Sequence, residues 1–155
     1  MKNIVCCFIL LLFSIEGIAQ NHSQIHWKSW QELDVAMQIQ PKPVFIFFHA
    51  KWCAYCKKID REIFTNKAVV QTLNTNYYTL RMDVEQTDSV FFAGKNYTNK
   101  QAQSMRNGVH EIALLLASRA GVSFSLPATI ILNNDLTPRK RLFEYYTSSQ
   151  LLRFL

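Results

Sequence analysis

The chain has 155 residues, of which 49% are hydrophobic and 18% are charged. This length suits one domain with a single core, and the composition excludes an intrinsically disordered chain. The formal net charge is +6, but lysines and arginines cluster only at residues 57–58 and 139–141, so a solvated surface is favoured over a nucleic-acid-binding patch. The sequence shows no heptad seam, and we expect a monomer with no nucleic-acid partner.

The first 19 residues have the pattern of a secretory signal peptide. One lysine precedes an apolar run, residues 4–15, and small residues follow up to Ala19. The run is shorter than the roughly 20 residues that a membrane span needs, although an uncleaved membrane anchor is the alternative. The sequence therefore predicts a signal peptide at residues 1–19, cleaved near Ala19, and a single domain at residues 20–155. That domain would be exported to the periplasm or the cell exterior.

The predicted elements begin with a capping box, in which Ser29 caps a helix and Glu32 reaches back to it. This helix should end near Ile39, before two prolines. Residues 44–50, VFIFFHA, form a continuous apolar run, which indicates a strand that is buried on both faces of a parallel sheet. A second helix should start at the following cysteines and end near Ile63.

The middle of the chain predicts a short helix at residues 65–74 and a second strand at residues 77–84. Residues 85–107 are the least regular part of the sequence. Within them, residues 91–98 suggest a small hairpin that turns at Gly94.

The last third of the chain predicts a helix at residues 109–121, with Gly121 as its C-terminal cap. Two strands, residues 127–132 and 140–146, should form a hairpin, and residues 148–155 should close the chain as a short helix. This order of elements predicts an α/β fold with a mixed sheet.

Removal of the predicted signal peptide would leave two of the four cysteines. Cys6 and Cys7 lie within the signal, whereas Cys53 and Cys56 form a CxxC pair. Such a pair can be a redox-active disulfide, half of a metal site or a structural staple. Closing so small a loop contributes only roughly 2 kcal/mol in the chain-entropy model. A purely structural disulfide at this pair would therefore add little stability, even in an oxidising compartment where disulfides persist.

The metal interpretation needs more ligands than this part of the sequence offers. A structural zinc site usually has four Cys or His ligands, and His49, four residues before Cys53, is the one histidine near the pair. We therefore expect no metal and no cofactor. Metal delivery through Cys53, Cys56 and His49 is a minor alternative.

The sequence resembles thioredoxin-fold proteins over roughly residues 27–155. The resemblance is carried by a buried strand, the motif WCAYCKK at residues 52–58, the helix that follows, and Leu126–Pro127 about 70 residues later. It is closest to exported single-domain thioredoxin-like proteins and to the C-terminal domain of the thiol reductase DsbD. It implies a thioredoxin fold: a central mixed β-sheet flanked by helices, with an N-terminal helix and an inserted segment before the third main helix.

The resemblance also implies roles for individual residues. Cys53 would be the attacking thiolate, Cys56 the resolving thiol, and Pro127 a cis-proline that faces their redox disulfide. The substrate-binding surface would comprise Trp52, Ala54, Tyr55 and Leu126. The implied partners are protein thiols and disulfides, together with a membrane thiol that donates electrons.

The chemistry of the pair agrees with this interpretation. A helix start offers free N–H groups and the positive end of the helix dipole, and both favour a thiolate at Cys53. We therefore expect an exported thiol–disulfide oxidoreductase, a reductant or isomerase rather than an oxidant. The expected direction of electron transfer follows only from the likeness to reductants. A non-catalytic binding or assembly module on the same fold is the alternative.

One departure from the family pattern concerns proton transfer. Phe47 stands six positions before Cys53, where most family members have an acid. Asp60 lies four residues after Cys56 on the predicted helix, so the two share a face. The DsbD-like domain also has an acid at that spacing. We hypothesise that Asp60 accepts the Cys56 proton; the alternative is a surface acid paired with Lys57 or Arg61.

Overall fold

The computed structural model describes residues 24–155, and the predicted signal peptide, with Cys6 and Cys7, lies outside the described residues. The strands in that range are β1 (Trp27–Lys28), β2 (Val44–His49), β3 (Tyr78–Asp83), β4 (Val90–Phe92), β5 (Lys95–Tyr97), β6 (Ala128–Leu132) and β7 (Pro138–Leu142). The α-helices there are α1 (Trp30–Ile39), α2 (Ala54–Glu62), α3 (Lys67–Asn76), α4 (Glu111–Ala117) and α5 (Ser148–Phe154). A 3-10 helix spans Lys100–Gln103.

Five of the strands form one mixed sheet, in the order β1-β3-β2-β6-β7. β1, β3 and β2 are parallel, whereas β6 is antiparallel to β2 and β7 is antiparallel to β6. The hairpin β4–β5 stands apart as a two-stranded sheet within residues 84–110, which we call the inserted segment. The expected mixed sheet flanked by helices, with a helix before it and an insertion ahead of α4, is confirmed.

β2 is enclosed on both faces and runs through the centre of the core. Its residues 44–48 are fully buried, as a continuous apolar run between two neighbouring strands requires. The Phe47 ring packs edge-on against Phe64 with centroids 4.9 Å apart, and Trp27 packs against the same ring at 5.3 Å. The chain leaves this core at His49 and leads directly to Cys53.

The helix starts follow the side-chain caps in the sequence. The Glu32 N–H donates to Ser29 Oγ at 3.1 Å, and the Ser29 N–H donates to a Glu32 carboxylate oxygen at 2.7 Å, which is the predicted capping box. α3 begins at Lys67, two residues later than expected, because Asn66 is its N-cap and accepts from the first backbone N–H groups. The predicted hairpin also forms, with Gly94 at φ +78° in its turn.

The helix predicted to reach Gly121 is shorter than the sequence suggested. It ends at Ala117, because Ser118 adopts an extended conformation with ψ 151°. Gly121 has φ +70° and instead serves a turn that brings Arg119 and Val122 into an isolated β-bridge. The assignment of Gly121 as the helix cap was therefore wrong.

The final strand is also displaced relative to the prediction of residues 140–146. It spans Pro138–Leu142 and leaves the sheet before Tyr146. The Tyr146 hydroxyl turns into the core and lies 2.9 Å from the Thr129 hydroxyl. The sequence reasoning misses β1 and the 3-10 helix altogether, since elements of two and four residues are too short to show periodicity.

Candidate functional site

The two cysteines lie where the sheet passes the chain to a helix. Cys53 is the N-cap of α2, and its Sγ accepts a hydrogen bond from the Cys56 N–H at 3.2 Å. The two sulfurs are joined in a disulfide, with Cα atoms 5.2 Å apart. Cys53 is 4% exposed and Cys56 is 1% exposed, so both residues are buried and Cys53 is slightly the more accessible. The Cys56 N–H and the positive end of the α2 dipole favour the Cys53 thiolate when the disulfide opens.

Pro127 lies at the same end of the central strands as the disulfide. The peptide bond between Leu126 and Pro127 is cis, which is the conformation that the family resemblance implies. The register of β2 and β6 pairs Phe48 with Ala128. Pro127 therefore lies opposite the end of β2, beside the turn that leads to Cys53.

Two large aromatic side chains flank Cys53 in sequence and are both exposed. Trp52 is 58% exposed and Tyr55 is 61% exposed. The Trp52 indole N–H donates to a Glu85 carboxylate oxygen at 2.7 Å, and the Tyr55 ring lies 6.1 Å from the Tyr145 ring. Exposed aromatics with a fixed orientation are typical of surfaces that bind other proteins.

The other two residues of the predicted binding surface lie beside this pair. Ala54 is exposed at the first position of α2. Leu126 is partly buried and packs against the core. The structure thus brings the predicted surface residues to the same end of the sheet as the disulfide.

Asp60 lies on α2 one turn after Cys56 and is half-buried. Its side chain is 24% exposed, and its Oδ2 accepts a hydrogen bond from Arg81 Nη2 at 2.6 Å. Asp60 therefore pairs with Arg81 and not with Lys57 or Arg61, and Arg61 pairs instead with Glu62. Burial raises the pKa of the Asp60 carboxyl above its ordinary value, and the neighbouring Arg81 charge opposes that rise without cancelling it.

Cys56 and Asp60 line the same small cavity. Its wall is formed by His49, Ala50, Lys51, Cys56, Lys57, Asp60 and Arg81. A proton leaving Cys56 into this cavity would meet the Asp60 carboxylate, directly or through water. Cys56 and Asp60 thus border one common space.

His49 forms part of this cavity in its neutral form. Burial, and after it the Arg81 charge, lower the pKa of His49 to about 4, although Asp83 acts in the opposite direction. The His49 ring stacks on Phe47 at 6.1 Å between centroids. Phe47, which occupies the position where an acid was expected, is a fully buried aromatic residue.

Sequence reasoning missed Arg81 and Glu85 as parts of the site. Arg81 is opposite Phe47 in the β2–β3 register, and Glu85 follows β3 by two residues. The one sequence signal was a charged residue, Arg81, among apolar neighbours in a predicted strand. Its partner could not be identified without knowing which strands are adjacent.

The described part of the chain offers no alternative centre for a metal. Among residues 24–155, no group of three or more His, Cys, Asp or Glu side chains could hold a metal ion. Within the same range, no helix is long and apolar enough to cross a membrane.

Comparisons with known proteins agree with the fold. A family model described as thioredoxin-like matches residues 26–113, which is more than half of the chain. The thiol:disulfide interchange protein DsbD of two Campylobacter jejuni strains is 28% identical over 61 residues. That match covers 39% of this chain but only 11% of each DsbD.

Solved structures with similar backbones support the same fold. A thioredoxin from Thermus thermophilus superposes with a TM-score of 0.58 at 17% identity, covering 84% of both chains. A DsbH oxidoreductase gives a TM-score of 0.56 at 16% identity, covering 84% of this chain and 81% of that one. At these identities the likeness is one of fold alone.

Proposed function

The chain belongs to the thioredoxin-like family, and we propose that it is an enzyme, a thiol–disulfide oxidoreductase that exchanges disulfides with protein substrates. The observation that carries this proposal is the Cys53–Cys56 disulfide at the N-terminus of α2. In that position the first sulfur is favoured as a thiolate and the second lies within reach of it.

The proposed reaction begins with the reduced pair. The Cys53 thiolate attacks a partner disulfide, forms a mixed disulfide and releases one partner thiolate. Cys56 loses its proton, and its thiolate attacks the Cys53 sulfur. This step releases the second partner thiolate and re-forms the Cys53–Cys56 bond, so two electrons pass to the partner. We assign Asp60 as the acceptor of the Cys56 proton, since both line one cavity.

The partner would bind at the end of the sheet that carries the disulfide. Trp52 and Tyr55 provide exposed aromatic contacts on either side of Cys53, while Ala54, Leu126 and Pro127 complete the surface. An extended partner segment could lie across this surface beside the disulfide.

We propose that the domain, residues 20–155, works outside the cytoplasm after removal of residues 1–19, and that it acts as a reductant or isomerase. The predicted signal peptide supports export, and the match to part of DsbD supports the direction. A reductant in an oxidising compartment needs a source of electrons, and we propose a membrane thiol protein for that role.

Two measurements on the mature chain test the proposal. The first is turnover of insulin disulfides with dithiothreitol as reductant, compared between wild type and Cys53→Ala. We expect the variant to lose turnover, and equal turnover would contradict an enzymatic role and favour a binding module. The second is the reduction potential in glutathione buffers, where a value near the roughly −120 mV of strong oxidants would contradict the proposed direction.

A further inference from the structure

The inserted segment is tied together by one buried amide. The Asn99 side-chain nitrogen donates to the carbonyl oxygens of Gln86 at 3.1 Å and Gly108 at 2.8 Å, and it lies 3.5 Å from that of Val84. Its oxygen accepts from the Ala102 N–H at 3.1 Å. Asn99 is 6% exposed, so these bonds replace its contacts with water. One side chain therefore joins the beginning, the middle and the end of the segment.

A second buried polar residue fixes the same strand end. The His110 backbone N–H donates to the Val84 carbonyl oxygen at 2.8 Å. Its Nδ1 accepts from the Ile112 N–H at 3.2 Å, so the proton is on Nε2, which lies 3.0 Å from the Asp88 carbonyl oxygen. Burial lowers the pKa of His110, which agrees with this neutral form.

The inserted segment is tightly packed near its C-terminal end. A Cβ on Gly108 would lie 2.4 Å from the Ala102 backbone nitrogen. Only glycine lets this backbone approach the 3-10 helix so closely. The Asn99 bonds thus belong to a closely packed structure.

These contacts converge on Glu85. The two carbonyl groups that Asn99 contacts at this end belong to Val84 and Gln86, the immediate neighbours of Glu85. The Glu85 N–H also donates to Asp83 Oδ1 at 3.0 Å. With its backbone held on both sides, Glu85 presents its carboxylate to the Trp52 indole N–H at 2.7 Å.

We propose that the inserted segment positions the docking surface: Asn99 fixes Glu85, and Glu85 holds the Trp52 indole beside Cys53 in the orientation that a protein partner meets. Asn99 and Glu85 are positioning residues for recognition of protein substrates. This inference rests on the proposed function. It gives the buried polar groups of the segment a role, since a fixed aromatic contact spares a partner the entropy of ordering it.

The test compares a protein disulfide with a small one. The value of kcat/KM is measured for insulin, which needs the docking surface, and for bis(2-hydroxyethyl) disulfide, which is too small to cover it. We expect Asn99→Ala to lower the ratio of kcat/KM for insulin to kcat/KM for the small disulfide by about fivefold, the factor typical of one lost hydrogen bond. The change should come mainly from the KM for insulin. Asn96→Ala is the matched control, because Asn96 is an exposed asparagine of the same inserted segment, and it should leave the ratio unchanged.

A double-mutant cycle separates positioning from general loss of structure. Glu85→Ala should lower the ratio as Asn99→Ala does, and the combined variant should be no worse than Glu85→Ala alone. Glu85→Gln retains an oxygen acceptor for the indole and should retain most of the ratio. If Asn99→Ala does not fold, the two Glu85 variants still decide whether Glu85 positions Trp52, without which the inference fails. A normal ratio in Glu85→Ala, or additive losses in the double variant, overturns the inference.

Trp52 emission gives a readout that does not depend on catalysis. The fluorescence emission of each variant's Trp52→Phe counterpart is subtracted, which leaves the emission of Trp52 alone. This Trp52 emission should show a more mobile indole in Asn99→Ala but not in Asn96→Ala. If wild type fails to turn over insulin, the proposed function fails, and this emission decides whether the segment holds Trp52. An unchanged Trp52 signal in Asn99→Ala overturns the inference in either case.

Discussion

Replacement of Asp60 by asparagine tests the proposed route of the Cys56 proton. The substitution keeps the size of the side chain and removes a carboxylate that shares a cavity with Cys56. An amide cannot accept the thiol proton at neutral pH. We expect the resolving step to slow, while the first attack by Cys53 keeps its rate.

The size of the effect follows from the exposure of the carboxylate. A positioned general base contributes roughly 10² to 10⁴-fold. The Asp60 side chain is 24% exposed, so water can partly replace it, and we expect the lower end of that range. Because burial raises the pKa of Asp60, the wild-type resolving rate should increase with pH as this carboxyl ionises. Asp60→Asn should lose that increase and retain only the one due to the thiol itself.

Stopped-flow absorbance with Ellman's reagent separates the two steps. Attack by Cys53 releases one thionitrobenzoate at a rate that depends on reagent concentration, and resolution by Cys56 releases the second at a rate that does not. Asp34→Asn is the matched control, because Asp34 is a half-buried acid on α1 that bonds only Gln38 among the hydrogen bonds of the described residues. A normal second phase in Asp60→Asn between pH 5 and pH 9 would refute the assignment, as would an equal loss in Asp34→Asn.

Two further predictions concern stability. The folded-state pKa of His49, about 4, is below the ordinary value, so its contribution to stability is present above pH 6.5 and is lost as pH falls towards 4. After discounting for partial exposure, the loss should be about 1–2 kcal/mol. Urea unfolding at several pH values should show that the free energy of unfolding falls less towards low pH in His49→Asn than in wild type. His26→Asn, an exposed control, should show the same fall as wild type. Tyr146→Phe leaves the buried Thr129 hydroxyl without its 2.9 Å partner and should lower the free energy of unfolding by about 1–2 kcal/mol. Adding Thr129→Val should recover most of that loss in thermal unfolding, and no recovery would contradict the pairing argument.

The parts of the fold that could be predicted are those that adjacent residues determine. The capping box of Ser29 and Glu32, the buried run of β2 and the helix that begins after Cys53 each depend on a few consecutive residues. The end of α4 could not be predicted in this way. Ser118 and Gly121 both permit a helix to stop, and the choice between them depends on the turn that joins Arg119 to Val122.

The parts of the site that could not be predicted depend on contacts between distant segments. Arg81 meets Asp60 only because β3 lies beside β2 and α2 covers that part of the sheet. Asn99 is one of many polar residues in an irregular segment, and its three carbonyl partners are 9 to 15 residues away in sequence. No periodicity marks such a residue before the backbone is known.

The replacement of an acid by Phe47 in β2 has a physical consequence for the proposed mechanism. A carboxylate at position 47 would be fully buried beside the Phe64 ring, where its charge would be costly without a close partner. The aromatic ring stabilises the core there, and the Arg81 side chain, opposite in register, takes its counter-charge from α2 instead. Asp60 and Cys56 are then one helical turn apart on the same helix, so their separation is set by helix geometry and not by how α2 packs on the sheet. The proposed proton acceptor and the resolving thiol are therefore held together by one helix, without help from the sheet.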